Sequence, residues 1–164
     1  MIHIVKATTA DLKTISEIAH KTWPLTYSEI LCPEQLAYML DAFYSGEALL
    51  ENIANGHEFI LVKENEMYLG FASFEHHYEE GNTTKIHKIY ILPETQGKGI
   101  GKLLINAIAD FAKTNQSHTL LLNVNRFNKA LTFYQKMGFE IIQEIDIELE
   151  HGYLMEDYIM EKRL

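Results

Sequence analysis

The chain has 164 residues, 47% hydrophobic and 23% charged, the make-up of a folded unit with a full core, and residues 1–164 read as one domain. No apolar run nears the ~20 residues of a membrane span. The first residues lack the charged-then-apolar order of an export signal, and the single cysteine, Cys32, has no internal disulfide partner, so a cytoplasmic protein without a membrane partner is predicted. Net charge is −9, and residues 1–80, with 13 acidic and 4 basic side chains, hold all of it. An acidic chain is a poor phosphate neutraliser, which argues against nucleic acid as a partner. The acidic half suggests a cationic acceptor, against the plainer reading of a solvated surface.

Residues 2–7 alternate as a first strand. Thr9 is placed to cap a helix through about residue 21, with Leu12, Ile15, Ile18 and Ala19 on one face. Pro33 suits the first turn of a second helix, to Phe43. Ser45 precedes a third, 46–54, which Gly56 ends. The period then changes to two. Residues 58–62 and 68–75 form a hairpin around Glu64-Asn65-Glu66, and 84–92 form a strand that stops at Pro93. A helix over 99–114 puts Leu103, Leu104, Ala107, Ile108, Phe111 and Ala112 on a buried stripe. A leucine-rich strand, 118–124, reads as fully buried. A helix over 127–136 ends at Gly138, and strands at 139–149 and 153–163 close the chain. This order gives a mixed α/β sheet of about seven strands with helices on both faces.

Between the strand ending at Pro93 and the helix after it lies Gln96-Gly97-Lys98-Gly99-Ile100-Gly101-Lys102. Glycines let backbone N–H groups meet a ligand with no Cβ in the way, and the helix start adds unpaired N–H groups and a positive dipole end. That is an anion cradle, with Lys98 and Lys102 beside it. The spacing is neither G-x-G-x-x-G nor the P-loop pattern, which needs Ser or Thr where Leu103 stands. Gln96-x-x-Gly99-x-Gly101 resembles the acetyl-CoA pyrophosphate loop of the GCN5-related N-acetyltransferase (GNAT) superfamily. A second motif strengthens the resemblance: a buried strand leads into Asn128, Ala130, Tyr134, Lys136, Gly138 and Phe139, which fill the superfamily's pattern. The order of elements matches over almost the whole chain.

The resemblance implies a GNAT fold and transfer of an acetyl group from acetyl-CoA to a primary amine by direct attack in a ternary complex. The strands at 84–92 and 118–124 would part, letting the cofactor's pantetheine arm pair with Tyr90 and Ile91. The Ile91 N–H would face the thioester oxygen, where negative charge develops. Residues Gln96, Gly97, Lys98, Gly99, Ile100 and Gly101 would hold pyrophosphate. Asn128 would both cap its helix and touch the cofactor arm with Ala130, and Lys136 would reach the phosphate or adenine end. Tyr134, a phenol with pKa about 10, would protonate the departing thiolate. His87, four residues before Ile91 and expected on its face, is the leading candidate base; it looks aligned with a histidine near the acceptor site of arylalkylamine N-acetyltransferases. A satisfied strand histidine is the plainer reading. Glu75, His76, His77 and Glu94 are weaker candidates.

Adjacent His76 and His77 point to opposite faces and no metal-ligand spacing occurs, so no metal is expected. The acceptor would lie against Trp23, Tyr27, Glu29, Tyr38, Asp41 and Tyr44. The segments 22–27 and 152–162 also look like the PaiA-type polyamine acetyltransferase branch. A non-catalytic acyl-CoA-binding or regulatory module and a protein N-acetyltransferase are the alternatives, and a homodimer is compatible with everything above.

Overall fold

In the computed structural model, which describes residues 1–164, the elements run β1 (Ile2–Lys6), α1 (Leu12–Tyr27), α2 (Pro33–Tyr44), α3 (Gly46–Ala54), β2 (Glu58–Glu64), β3 (Met67–Glu75), β4 (Thr83–Ile91), α4 (Ile100–Thr114), β5 (Thr119–Asn125), α5 (Ala130–Lys136), β6 (Glu140–Glu148) and β7 (Leu154–Arg163). All seven strands join one mixed sheet in the order β1-β2-β3-β4-β5-β7-β6. Only β4 and β5 run parallel. No helix is long and apolar enough to cross a membrane.

Local signals set most boundaries. Thr8, rather than Thr9, caps the first turn: its hydroxyl accepts from Ala10 N, and its own N–H donates to Asp11 Oδ2 at 2.8 Å. The first helix does not stop near residue 21. It runs through Pro24 to Tyr27. Proline removes the bond to the carbonyl of His20, but His20 is exposed, so water can satisfy it, and Trp23 and Tyr27 are buried and hold the last turn in the core. The helix expected at 127–136 begins only at Ala130.

Each face of the sheet buries one layer. On one side α4 lays Leu104, Ile105 and Ile108 against Phe74, Ile86 and Leu120; on the other, α1, α2 and α3 close Ile15, Trp23, Tyr44 and Leu49 over Leu61 and Phe71. Burying each such side chain contributes ~1.5–3 kcal/mol. The α4 stripe is rotated from the expected one: Ile105 is buried, whereas Leu103 is 36% exposed. The β5 strand is not buried on both faces. Leu120, Leu122 and Val124 are buried, while Leu121, Asn123 and Asn125 are half-buried.

Two irregularities shape the middle of the sheet. Parallel pairing of β4 with β5 runs from Thr83–Thr119 to Ile86–Leu122 and stops. Beyond it β4 stays with β3 as far as Gly70–Ile91, and β5 stays with β7 as far as Asn125–Asp157. The facing edges of 87–91 and 123–125 are therefore left apart. The parting begins at a bulge: Phe74 pairs with Ile86 and Ser73 with Lys88, leaving His87 as the extra residue. The bulge shifts the alternation. Ile86, Ile89 and Ile91 pack toward α4, whereas Tyr90 packs with the α1–α3 layer and the Lys88 amine lies over the Tyr44 ring. His87 and Ile91 thus do not share a face, contrary to the simple period-two reading.

Gly70 supports the free edge from behind. A Cβ there would meet the Tyr90 carbonyl oxygen at 2.7 Å and Ile91 Cα at 3.2 Å, both backbone atoms. Gly70→Ala is expected to lower stability by ~1–3 kcal/mol, the usual effect of overpacking, read as a reduced midpoint in denaturant. An unchanged midpoint would mean that β3 and β4 separate at little cost.

Candidate active site

The parted strands open a cavity of about 710 Å³. Its walls are the edges of β4 and β5, the loop before α4, and the residues around the start of α5. The loop is built for close approach. Gly97 and Gly99 hold φ of +88° and +73°, the left-handed region, and a Cβ on either would meet nothing within 4 Å. Leu103 N makes a helical bond to Gly99 O, so the N–H groups of Ile100, Gly101 and Lys102 precede the first donor of that ladder. Gly101 serves packing instead: a Cβ there would lie 2.9 Å from the Phe133 ring.

Tyr90, Ile91, Gln96, Gly97, Gly99, Ile100, Gly101, Asn128, Ala130 and Tyr134 all line this cavity, as does His87. Two expected lysines do not. The Lys98 amine turns away to Glu64 at 3.2 Å, and Lys136 lies outside the lining. Lys102 and Lys129 line it, the second unforeseen, as do Phe127 and Phe133. Asn128 folds its Oδ1 back onto Ala130 N at 2.9 Å, and Asn125 does the same to Phe127 N at 2.9 Å. These two turns delay the helix and carry the chain along the cavity rim.

The Tyr134 ring is buried between Phe133 and Phe139. Burial, and then Tyr27 nearby, push its phenol well above the usual range, so it stays protonated across ordinary pH. The Tyr27 and Tyr90 hydroxyls lie 3.1 Å apart, and burial raises both.

A second cavity of about 210 Å³ lies between α1, α2 and the strands, with Trp23, Tyr27, Phe43, Tyr44 and Tyr90 in its walls. Asp157 lines it too, 3% exposed, its carboxyl raised by burial and touched only by a long 3.5 Å bond from Asn123. The two cavities share Tyr27, His87, Lys88, Tyr90 and Asn123. Of the expected acceptor residues, Trp23, Tyr27 and Tyr44 are here and Glu29 lines the larger cavity; Tyr38 packs instead edge-on to His151 and tilted against Tyr153, and Asp41 is exposed. Glu29 is the only acidic residue of the first 80 that reaches either wall, so the acidic surplus does not line the cavities.

His87 is already engaged. Its Nε2 lies 3.0 Å from Glu75 Oε1, and its ring stacks on His57 at 3.9 Å, almost parallel at 4°. His57 Nε2 approaches the same carboxylate oxygen at 3.4 Å. Burial pushes both imidazoles down to about 4, helped at His87 by Lys85 and Lys88 and at His57 by His87 and Lys88. The fold thus assembles a three-residue group, with ligand atoms within 4.8 Å of one another, that sequence spacing did not reveal. Both rings turn Nε2 to one Glu75 oxygen, so the carboxylate is shared between the two imidazoles.

The sequence pattern of the acetyltransferase (GNAT) family matches residues 12–139. The chain belongs to this family. It is 28% identical to the spermidine N(1)-acetyltransferase of Thermoplasma acidophilum, over 99% of this chain and 97% of that one. The crystal structure of the PaiA N-acetyltransferase of the same organism, in complex with coenzyme A, superposes with a TM-score of 0.83 at 27% identity, covering 100% of this chain and 99% of that one. The ribosomal-protein-S18-alanine N-acetyltransferase of Escherichia coli shares the fold, with a TM-score of 0.75 at 19% identity over 99% of this chain and 94% of that one.

The glycine loop can be tested without an acceptor. Gly99→Val puts a β-branched residue at a left-handed φ, a strain of roughly 1–2 kcal/mol, and a side chain where phosphate would approach a loop that holds it. Acetyl-CoA binding is expected to be lost in a calorimetric titration while the circular dichroism of the fold persists. Unchanged affinity would remove the loop from the cofactor site.

Proposed function

We propose that this GNAT acetyltransferase moves the acetyl group of acetyl-CoA to a small primary amine, with a polyamine or similar cationic amine as the acceptor. The observation that carries the reading is the pair of cavities meeting at His87, Lys88 and Tyr90. The larger, with its glycine loop and helix start, has the size and donors for a phosphate-bearing cofactor. The smaller, aromatic with one buried carboxylate, suits an ammonium group on an alkyl body. Its volume of about 210 Å³ favours a small acceptor over a polypeptide tail. Similarity to a spermidine acetyltransferase over nearly the full length supports the cationic class.

In this reading the Ile91 N–H, on the unpaired edge of β4, donates to the thioester oxygen as negative charge grows there. The acceptor reaches the carbonyl carbon as a free amine. Its nitrogen lone pair forms the C–N bond, and collapse of the tetrahedral adduct breaks the C–S bond. Tyr134, kept protonated by burial, gives its O–H proton to the departing sulfur. The nitrogen's surplus proton returns to the phenolate directly or through water, leaving an amide and free CoA. No acyl-enzyme is involved. His87, neutral at working pH because burial holds it near 4, orients the amine through a ring nitrogen.

Release of CoA should be measured with spermidine, putrescine, an L-amino acid and a short peptide. The highest kcat/KM is expected for spermidine. Because the acidic surplus lies outside both cavities, that preference should persist as salt rises, buried contacts being little screened. Binding of acetyl-CoA with no amine-dependent CoA release would instead support a non-catalytic module. Tyr134→Phe is expected to lower kcat by ~10²–10⁴ and leave cofactor affinity intact; an unaltered kcat when chemistry limits the rate would show that the ring only packs.

A further inference from the structure

Attack by an amine that arrives as an ammonium ion requires a proton acceptor beside the thioester. His87 is a poor one: its Nε2 is committed to Glu75, its ring is clamped against His57, and its protonated form is disfavoured down to about pH 4. The bulge that makes His87 the extra residue also turns Lys88 toward α2. The Lys88 amine lies 5.3 Å from the centre of the Tyr44 ring and forms no ion pair and no hydrogen bond. Its cross-strand neighbour Ser73 has a buried hydroxyl that is also unpartnered. Lys88 is the one amine that lines both cavities.

We propose that Lys88 is the general base of the reaction: its unpartnered amine, where the cofactor and acceptor cavities meet, takes the proton from the incoming ammonium. This rests on the amine-acetyltransferase reading above. The step balances simply. The acceptor R–NH3+ gives one proton to neutral Lys88, becoming R–NH2 with a free lone pair, and Lys88 becomes an ammonium. After transfer it returns that proton to solvent through the open cofactor cavity.

The electrostatics of the site agree. Burial alone lowers the Lys88 amine from 10.5 to about 8, so a useful fraction is neutral in the range where amines are acetylated. No carboxylate pairs with it, and the Tyr44 ring face is the one contact that favours its charged form. From α1 and α2 come Tyr27 and Tyr44, both raised by burial and therefore neutral. On β4 the neutral His87 is adjacent, with Glu75 of β3 and His57 joined to it, and Lys85 adds positive charge. From β7 comes Asp157, whose own charged neighbours are Lys85 and Arg126 rather than Lys88. A base here is favourable because it is a lysine that burial has made easy to deprotonate and that no carboxylate holds in its charged form.

The experiment has two arms. First, lysines are reductively methylated with carbon-13 and their resonances followed with pH, Lys88 being assigned by its loss in Lys88→Arg. This needs no acceptor, so it is independent of the amine-acetyltransferase reading. A midpoint near 8 is expected, against ~10.4 for an ordinary lysine; a midpoint at the ordinary value overturns the proposal.

Second, kcat/KM of the wild type is measured against pH with the best amine of the panel. Activity should rise with pH through a midpoint near 8, because the base acts only when deprotonated. Lys88→Arg keeps the charge but cannot lose its proton in this range. It is expected to lose ~10²–10⁴ in kcat, with acetyl-CoA affinity and thermal midpoint retained; Lys88→Met should fall equally. Wild-type kcat in either variant, or an acid limb that survives in Lys88→Arg and disappears in His87→Ala, overturns the assignment. If the wild type releases no CoA with any amine, it is the proposed function that fails, and the first arm still reports on Lys88.

Discussion

The structure depends on one broken ladder. Two parallel strands, β4 and β5, exchange hydrogen bonds over four register positions and then separate, each held by its other neighbour. Unpaired strand edges inside a sheet are costly unless a partner completes them. Here they form the wall of a cavity of about 710 Å³, where their free N–H and C=O groups can pair with an extended ligand. The bulge at His87 bends β4 where the ladder ends and reassigns the residues after it between the two faces. Ile89 and Ile91 go to the α4 layer, and Lys88 and Tyr90 to the opposite one. One inserted residue therefore creates the cleft and selects which side chains meet there.

Two features give that space its chemical character. The helix start and glycine loop supply donors at one end, and Lys88, Lys102 and Lys129 make the larger cavity basic. At the other end, aromatic rings from α1 and α2 line the smaller cavity with Lys88 and Asp157, Phe133 and Phe139 enclose Tyr134, and the paired imidazoles stack on each other. Burial shifts each of these groups toward its neutral form: the phenol and carboxyl upward, the amine and imidazoles downward. Desolvation, rather than any single ion pair, is the dominant influence on the site.

The fold and the glycine loop were readable from the chain because both rest on short-range signals. Proline at the first turn of α2, glycines after α3 and α5, and the apolar periods of the strands and α4 act within a few residues. The glycine loop is likewise a contiguous string whose backbone freedom is a property of its residue types. Readings failed where distant contacts overrode local ones. Pro24 does not end α1, because burial of Trp23 and Tyr27 holds the last turn. Lys98 leaves the loop for Glu64, a strand away. The acidic surplus of residues 1–80, Glu29 apart, stays out of both cavities, since net charge carries no information about facing.

The sequence by itself determined the mixed α/β architecture, the family, and the glycine-rich loop before α4, because element periods and contiguous motifs encode these directly. Only the tertiary structure decided which groups meet in and around the two cavities. His57, Glu75 and His87 come from three separate segments and meet through strand pairing. Asp157 enters from the second-to-last position of the sheet. Lys88 reaches the junction of the cavities because a bulge shifts the alternation by one residue. A pattern of period two cannot reveal the single insertion that breaks it, and burial, which sets the charge of every one of these groups, is a property of the packed chain.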